Sequence, residues 1–429
     1  MADGYTVKTL EDGKYQVVAL FDGGTGTAEA PFTVATAGQL KAFAADVNGG
    51  ADYAGKFIKL TGDINLENEE WTPIGTAEYP FSGTFDGNGK TITGLTYNGT
   101  EDVPFGLIAY GTGNVTVKNI KFENVAINSA GEYAAAVMAL YIGRVGNDTA
   151  TYAVNFEDII VSGEISAGDK AAAILGCNYS SDYVGSNKTI TVTFDHCVNN
   201  ADISGAGRNG GIAGAISGQF YDDLEGTGAW LKNEIKVVFN NCENNGRVAS
   251  NSATYKTGGI VGWMGSNGNY EFNNCSSTDT ADGGLFGRFH YAGGGGSVQP
   301  TSNPCEGVGL ENGFGYLHFT PQVLTIYDCY SWSSINVYWK WKFGEDYHAN
   351  SATYYVGKKM ADDDWRLTIN GTHYRAPFNT PIDGTADCTH DTAHLNNALP
   401  TENNWDNNDY ELTNNGNQYT YTKEATGGQ

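Results

Sequence analysis

Cys388, His390 and His394 bring thiolate and imidazole donors together at the close spacing a zinc ion takes. They form only half a site, since no Cys-x-x-Cys pair accompanies them, and a surface loop with incidental histidines accounts for them better. Asp362-Asp363-Asp364 offers oxygen ligands for Ca²⁺ but lacks the interleaved glycine and distal glutamate of a helix-loop-helix calcium site. It reads as a solvated turn. Polysaccharide cleavage needs two carboxyl groups facing one groove, or Ca²⁺ with a basic residue that removes a proton. Glu157, Asp158 and Asp195 come nearest to such a set, while Arg144, Arg208, Arg247 and Arg288 fall near turns. The chain has no nucleophile motif, phosphate loop or dinucleotide fingerprint. No catalytic residue, cofactor or metal ligand is assigned, and binding is expected ahead of catalysis.

Exposed aromatic rings stack on sugar faces and anchor protein partners. Trp332, Tyr338, Tyr221 and Trp230 are the binding candidates; Trp263 stands between binding and packing, and Trp339 and Trp341 are assigned to packing. The net charge of −25, from 49 acidic and 24 basic residues, opposes a phosphate backbone, whose affinity comes from Lys and Arg displacing counterions. Nucleic acid is therefore excluded as a partner. No apolar run approaches the roughly 18 residues that span a bilayer, so membrane insertion is not expected. Charged residues are only 17% of the chain, leaving a surface of Asn, Thr, Ser and Gly that suits a secreted or cell-surface protein. A monomer that meets a glycan or an extracellular protein ligand is expected. Met1-Ala2-Asp3-Gly4 begins no basic-then-apolar leader and Thr426 to Gln429 no apolar anchor, so signal and anchor are expected to be absent from this sequence.

A phrase of one aromatic or aliphatic residue, two polar residues and a small apolar one recurs at Phe122 to Val125, Phe156 to Ile159, Phe194 to Cys197, Phe239 to Cys242, Phe272 to Cys275 and Ile326 to Cys329. Six residues further on comes Ile165, Ile203, Val248 or Ala281. A Gly-rich apolar phrase follows, as in Gly210-Gly211-Ile212-Ala213-Gly214 and Gly258-Gly259-Ile260-Val261-Gly262. Each repeat thus holds three short strands that cannot bury their own apolar side, so successive units must stack. The fold class predicted is all-β, a right-handed parallel β-helix. Stacking at the inter-strand spacing places like residues in columns. Cys197, Cys242, Cys275 and Cys329 then become reduced core fillers, because in-register side chains point alongside one another and not into a disulfide. Cys177, Cys305 and Cys388 remain unassigned.

Raw ends of such a stack need covering. Residues 1–30 read as an N-terminal hairpin or the remnant of an upstream module, and residues 31–330 as the solenoid. A capping helix is expected over 36–47, with Thr36 as N-cap and Leu40, Phe43, Ala44 and Val47 on one face. Residues 331–429 are expected to hold terminal rungs and an aromatic-rich C-terminal cap, including an alternating strand from Ile335 to Phe343. Long insertions at Ser217 to Lys232 and Tyr291 to Leu317 would give the rod a grooved side.

The opening block from Phe57 to Leu95, with the Asn241-Cys242 and Gly258 to Gly262 copies, resembles bacterial cell-surface and adhesin-like proteins carrying GLUG-type repeats on right-handed β-helices. The resemblance covers about residues 31–330. It implies surface display and adhesion, and it implies no shared catalytic residues. The runner-up is a polysaccharide lyase or hydrolase on the same scaffold.

Overall fold

The computed structural model describes residues 5–9, 15–143, 150–178, 188–217, 219–222, 229–232, 234–250, 257–264, 268–277, 286–290, 323–327, 330–331, 334–343, 346–355, 367–369, 372–374, 410–414 and 419–423. The fold is all-β, largely parallel and solenoid-like, and a single helix interrupts it among the described residues. One chain of parallel pairings organises it. The strand Phe81–Thr93 pairs with Ile108–Ser129, which pairs with Thr151–Ala167. Thr151–Ala167 pairs with Thr189–Asp195, that strand with Glu234–Asn240, and that in turn with Gly268–Asn273.

The register aligns Phe156, Phe194, Phe239 and Phe272. Their rings stack at centroid distances of 5.1, 4.7 and 4.7 Å and lie within 14° of parallel. All four are fully buried. Three residues on, Cys197, Cys242 and Cys275 are free and buried. Each thiol donates to the carbonyl of a phenylalanine one coil earlier: Cys197 to Phe156 at 3.5 Å, Cys242 to Phe194 at 3.6 Å and Cys275 to Phe239 at 3.4 Å. Cys329, Cys305 and Cys388 lie outside the described residues.

Between ring and thiol the chain must turn a corner. Asn88, Asn119, Asp158, His196, Asn241 and Asn274 turn it with φ between 51° and 53°. The left-handed region is tolerated best by residues whose short polar side chain bonds locally. Asn88, for example, donates its side-chain Nδ2 to the Leu60 carbonyl at 3.1 Å, while its backbone N–H donates to Asp86 Oδ1 at 2.8 Å. Asn274 also donates to Asn241, and Asn273 to Asn240, both at 2.9 Å, so the corners are tied from coil to coil.

The register corrects one sequence alignment. Val117, and not Phe122, lies opposite Phe156, while Phe122 lies opposite Val161. The phrase Phe122 to Val125 turns the following corner, where Asn124 has φ 54°. Two corners of one coil use the same chemistry, and the phrase alone does not tell them apart. A further coil lacks glycine and so escapes the Gly-rich pattern: Met138–Tyr141 pairs with Ile108–Ser129 on one side and Leu175–Cys177 on the other. Ala134, Ala135, Ala136 and Ala139 supply its small residues. The six-residue step holds, with Ile165 opposite Ile203 and Ile203 bridged to Val248.

The helix Ala37–Asn48 starts at Thr36, which caps Gln39 and receives its side chain in return. Leu40, Phe43, Ala44 and Val47 are buried, with Phe43 meeting Tyr53 and Phe81 edge-on at 4.9 and 6.0 Å. Upstream, Tyr5–Thr9 and Tyr15–Ala19 pair antiparallel. Downstream, Ser334–Phe343 pairs antiparallel with Asp346–Tyr355 and lies parallel to Phe286–His290.

Phe239→Ala removes a ring stacked on both sides and is expected to cost about 3–5 kcal/mol, read from the urea midpoint. A loss under about 1 kcal/mol would mean that the column does not hold the coils together. Burial and the flanking thiols of Cys197 and Cys275 push the Cys242 thiol well above its ordinary range. The protonated form is thus favoured in the fold, so its contribution is complete below the unfolded thiol pKa of about 8.5 and is lost as pH rises beyond it. The urea midpoint should fall between about pH 8.5 and 10 and fall less in Cys242→Ala, which equilibrium unfolding across that range would check.

Candidate binding surface

Of the aromatic residues singled out in the sequence, Trp263 has a described side chain. It is half-buried and packs with Tyr110 and Tyr133 against Leu140, Ile142, Cys177 and Ala215, a cluster separate from the main core. The register explains the grouping. Tyr110, Leu140, Cys177, Ala215 and Trp263 occupy equivalent positions on successive strands, with Arg288 next in line. This column lies on the side of the Gly-rich strands away from the central core. The Arg208 guanidinium sits 5.6 Å from the centre of the Trp263 ring, a cation over an aromatic face.

Arg208 is held by an ion-pair network. Its Nη1 lies 2.5 Å from Asp169 Oδ2, and its backbone N–H donates to Asp169 Oδ1 at 3.2 Å. Lys170, almost wholly buried, donates to the same Asp169 oxygen at 2.7 Å and to Glu132 Oε1 at 2.5 Å. Its ammonium stands 4.7 Å from the centre of the Tyr133 ring. Asp169 thus joins two cations, each lying over an aromatic ring. Both carboxylates are engaged by these cations, which makes this an orienting network for Tyr133 and Trp263.

Of the carboxylates Glu157, Asp158 and Asp195, the first and last are brought together, while Asp158 turns the corner beside them. Glu157 and Asp195 are register partners on adjacent strands, so they stand side by side at the inter-strand spacing. Asp195 Oδ1 lies 2.9 Å from His196 Nδ1 and accepts from Asn241 Nδ2 at 3.4 Å. Asp158 and His196, both at left-handed corners, line a shallow groove of about 540 Å³ with Asn88, Asn119 and Lys121. No group of three or more metal-ligating side chains converges among the described residues.

Tyr338 lies in the strand Ser334–Phe343. Tyr221 and Trp230 are direct register partners in an antiparallel hairpin of Gln219–Asp222 with Ala229–Lys232. Trp332, the acidic run at 362–364 and the Cys388, His390 and His394 set lie outside the described residues. Sequence reasoning passed over Tyr79 and Tyr152, which line a cleft of about 420 Å³ together with Asp52, Glu78, Ser82 and Thr112. Tyr79 belongs to no repeat phrase; its signal was a large aromatic in a polar loop.

No family model matches the chain. A stretch of 179 residues is 28% identical to Halomucin of Haloquadratum walsbyi, and the match covers 37% of this chain and 2% of that protein. The chain spans a small fraction of this relative. Among solved structures, a candidate immunoglobulin A1 protease from Bacteroides ovatus is similar with a TM-score of 0.43 and 20% identity, over 61% of this chain and 79% of the other.

Asp169→Ala leaves Lys170 and Arg208 without their shared acceptor and should destabilise the fold by about 3–5 kcal/mol. Lys170→Met should be much milder. Urea titrations of the two variants measure the difference, and equal losses would contradict the shared-acceptor role.

Proposed function

We propose that this chain is an extracellular, surface-exposed, adhesin-like protein that presents the side of a solenoid to a glycan or an extracellular protein ligand. The observation that carries this reading is the strip around Trp263: Tyr110, Tyr133 and Trp263 pack outside the main core against Leu140, Cys177 and Ala215, and the cations joined by Asp169 lie over Tyr133 and Trp263. Rings fixed in this way lose little conformational freedom on binding, which favours recognition. The acidic balance and the neutral polar surface support an extracellular setting. So does the partial likeness to Halomucin, whose name marks a mucin-like protein. A right-handed β-helix, with the helix after Thr36 covering one end and the aromatic segment after residue 331 covering the other, is the architecture this reading takes. The GLUG-type repeat is its proposed kinship.

A second reading, a lyase or hydrolase acting on polysaccharides, is favoured by one observation. Glu157 and Asp195 stand on adjacent coils with His196 on Asp195, which is the kind of neighbouring carboxylate pair that glycoside cleavage uses.

Arrays of glycans and extracellular proteins, run beside reducing-sugar and unsaturated-product assays, separate the two readings. Saturable binding without turnover, weakened about tenfold by Trp263→Ala, is the expected result. Turnover abolished by Glu157→Gln or Asp195→Asn would overturn the binding reading in favour of the enzyme.

A further inference from the structure

The cleft beside the helix end is built from five places in the chain. The Gly50 to Ala54 segment after the helix gives one wall, and the turn from Ala77 to Pro80 gives another. Ser82, Thr112 and Gly113 come from paired strands, and Ile142 and Tyr152 complete the lining. Its volume of about 420 Å³ lies within the range of small-molecule sites, about 300–1,000 Å³.

Tyr79 is the prominent feature. It is 40% exposed, and among the described residues only Val103 matches it as an exposed large hydrophobic residue. The turn beneath it is closed twice: Thr76 N–H donates to the Tyr79 carbonyl and Tyr79 N–H to Thr76 Oγ1, both at 3.0 Å. The ring lies against Gly50, at φ 98°, where even a methyl group would press on it at 3.2 Å. The neighbouring Glu78 carboxylate raises the phenol above its ordinary range. The ring is therefore exposed and held still. Across the cleft, Tyr152 packs its inner side on the core and is half-buried. Behind the floor, the buried Tyr141 donates to the Gly113 carbonyl at 2.7 Å and fixes the turn there.

The chemistry of the lining selects an occupant. Two phenol rings offer faces for C–H groups, the carboxylates of Glu78 and Asp52 accept hydrogen bonds, the Thr112 hydroxyl can give and accept, and the Ser82 hydroxyl, which donates to the Asn114 carbonyl at 3.2 Å, can accept. No basic side chain lines the cleft among the described residues, so an anionic group finds no partner there. Ile142 belongs both to this lining and to the cluster that holds Trp263, so the cleft adjoins that aromatic strip.

We propose that this cleft is a binding site for a neutral glycan, with one pyranose ring stacked on Tyr79 and its hydroxyls hydrogen-bonded to Glu78 and Asp52. The proposal rests on the ligand-binding reading above and gives it a location and a ligand class.

Isothermal titration of the full chain tests it with neutral tetrasaccharides of glucose, mannose and galactose, a sulfated tetrasaccharide, and tetralysine as a cationic peptide. The expected result is binding of at least one neutral sugar, weakened about tenfold by Tyr79→Ala and only slightly by Tyr79→Phe, which keeps the ring. Glu78→Gln should weaken it by a smaller factor. Circular dichroism confirms folding, which the exposed position of Tyr79 leaves undisturbed. Undiminished sugar binding in Tyr79→Ala overturns the cleft site while leaving the surface-binding reading intact. Tyr79-dependent binding of tetralysine or the sulfated sugar alone overturns the ligand class. If none of the probes binds, the cleft proposal falls, and the array experiment with Trp263→Ala decides separately whether the surface-binding reading stands.

Discussion

In-register parallel pairing is the constraint on which this molecule depends. Once Phe156 is opposite Phe194, every neighbouring residue is committed to a column, because a slip of one position would turn the buried set outward. The column then contributes twice, through apolar burial and through ring stacking worth about 0.5–1.5 kcal/mol per pair. Corners make the register sustainable. A coil must turn within one or two residues at each corner, and Asn, Asp or His in the left-handed region does so; the side chains of Asn88, Asn119, Asn241 and Asn274 also bond the coil next to them.

Polar groups enter the interior by the same rule. Asn199 and Asn244 are fully buried, yet each bonds a carbonyl of its own turn at 3.0 Å, and Asn199 donates to Asn244 at 2.7 Å. Earlier in the same column stand Phe122 and Val161, so the position changes from apolar to amide along the chain. A buried amide is stable when its partners are fixed, and here the adjacent coil and the local turn fix them. The Lys170, Asp169 and Arg208 network follows the same logic with charge: no member is buried without a partner on a neighbouring coil.

The parts of the fold legible in the sequence were those repeated as columns. The phenylalanine and cysteine positions, the six-residue step and the helix after Thr36 could all be read from residue types, because burial fixes the type of residue at those positions. Misreadings arose where two physical situations share one signature. Phe122-Glu123-Asn124-Val125 has the same letters as the main corner but belongs to the next one, and alanine stood in for glycine at 134–139. The binding surface was harder to read. Trp263 drew notice as a tryptophan, but its partners Arg208 and Tyr110 are brought to it by pairing across coils that sequence distance conceals. Tyr79 was hidden for the opposite reason, since it lies outside any repeat and takes its meaning from Gly50, far away in the chain.

Matching columns also bear on how such a chain could change over generations. Each coil presents its neighbours with an edge much like its own, so duplicating or deleting one unit by unequal recombination would leave the new junction already complementary. Overall length could then vary in whole-unit steps without redesign of the interior, while the segments between strands diverge independently. The unequal spacing of the Phe-to-Cys phrases is the pattern such a history would leave.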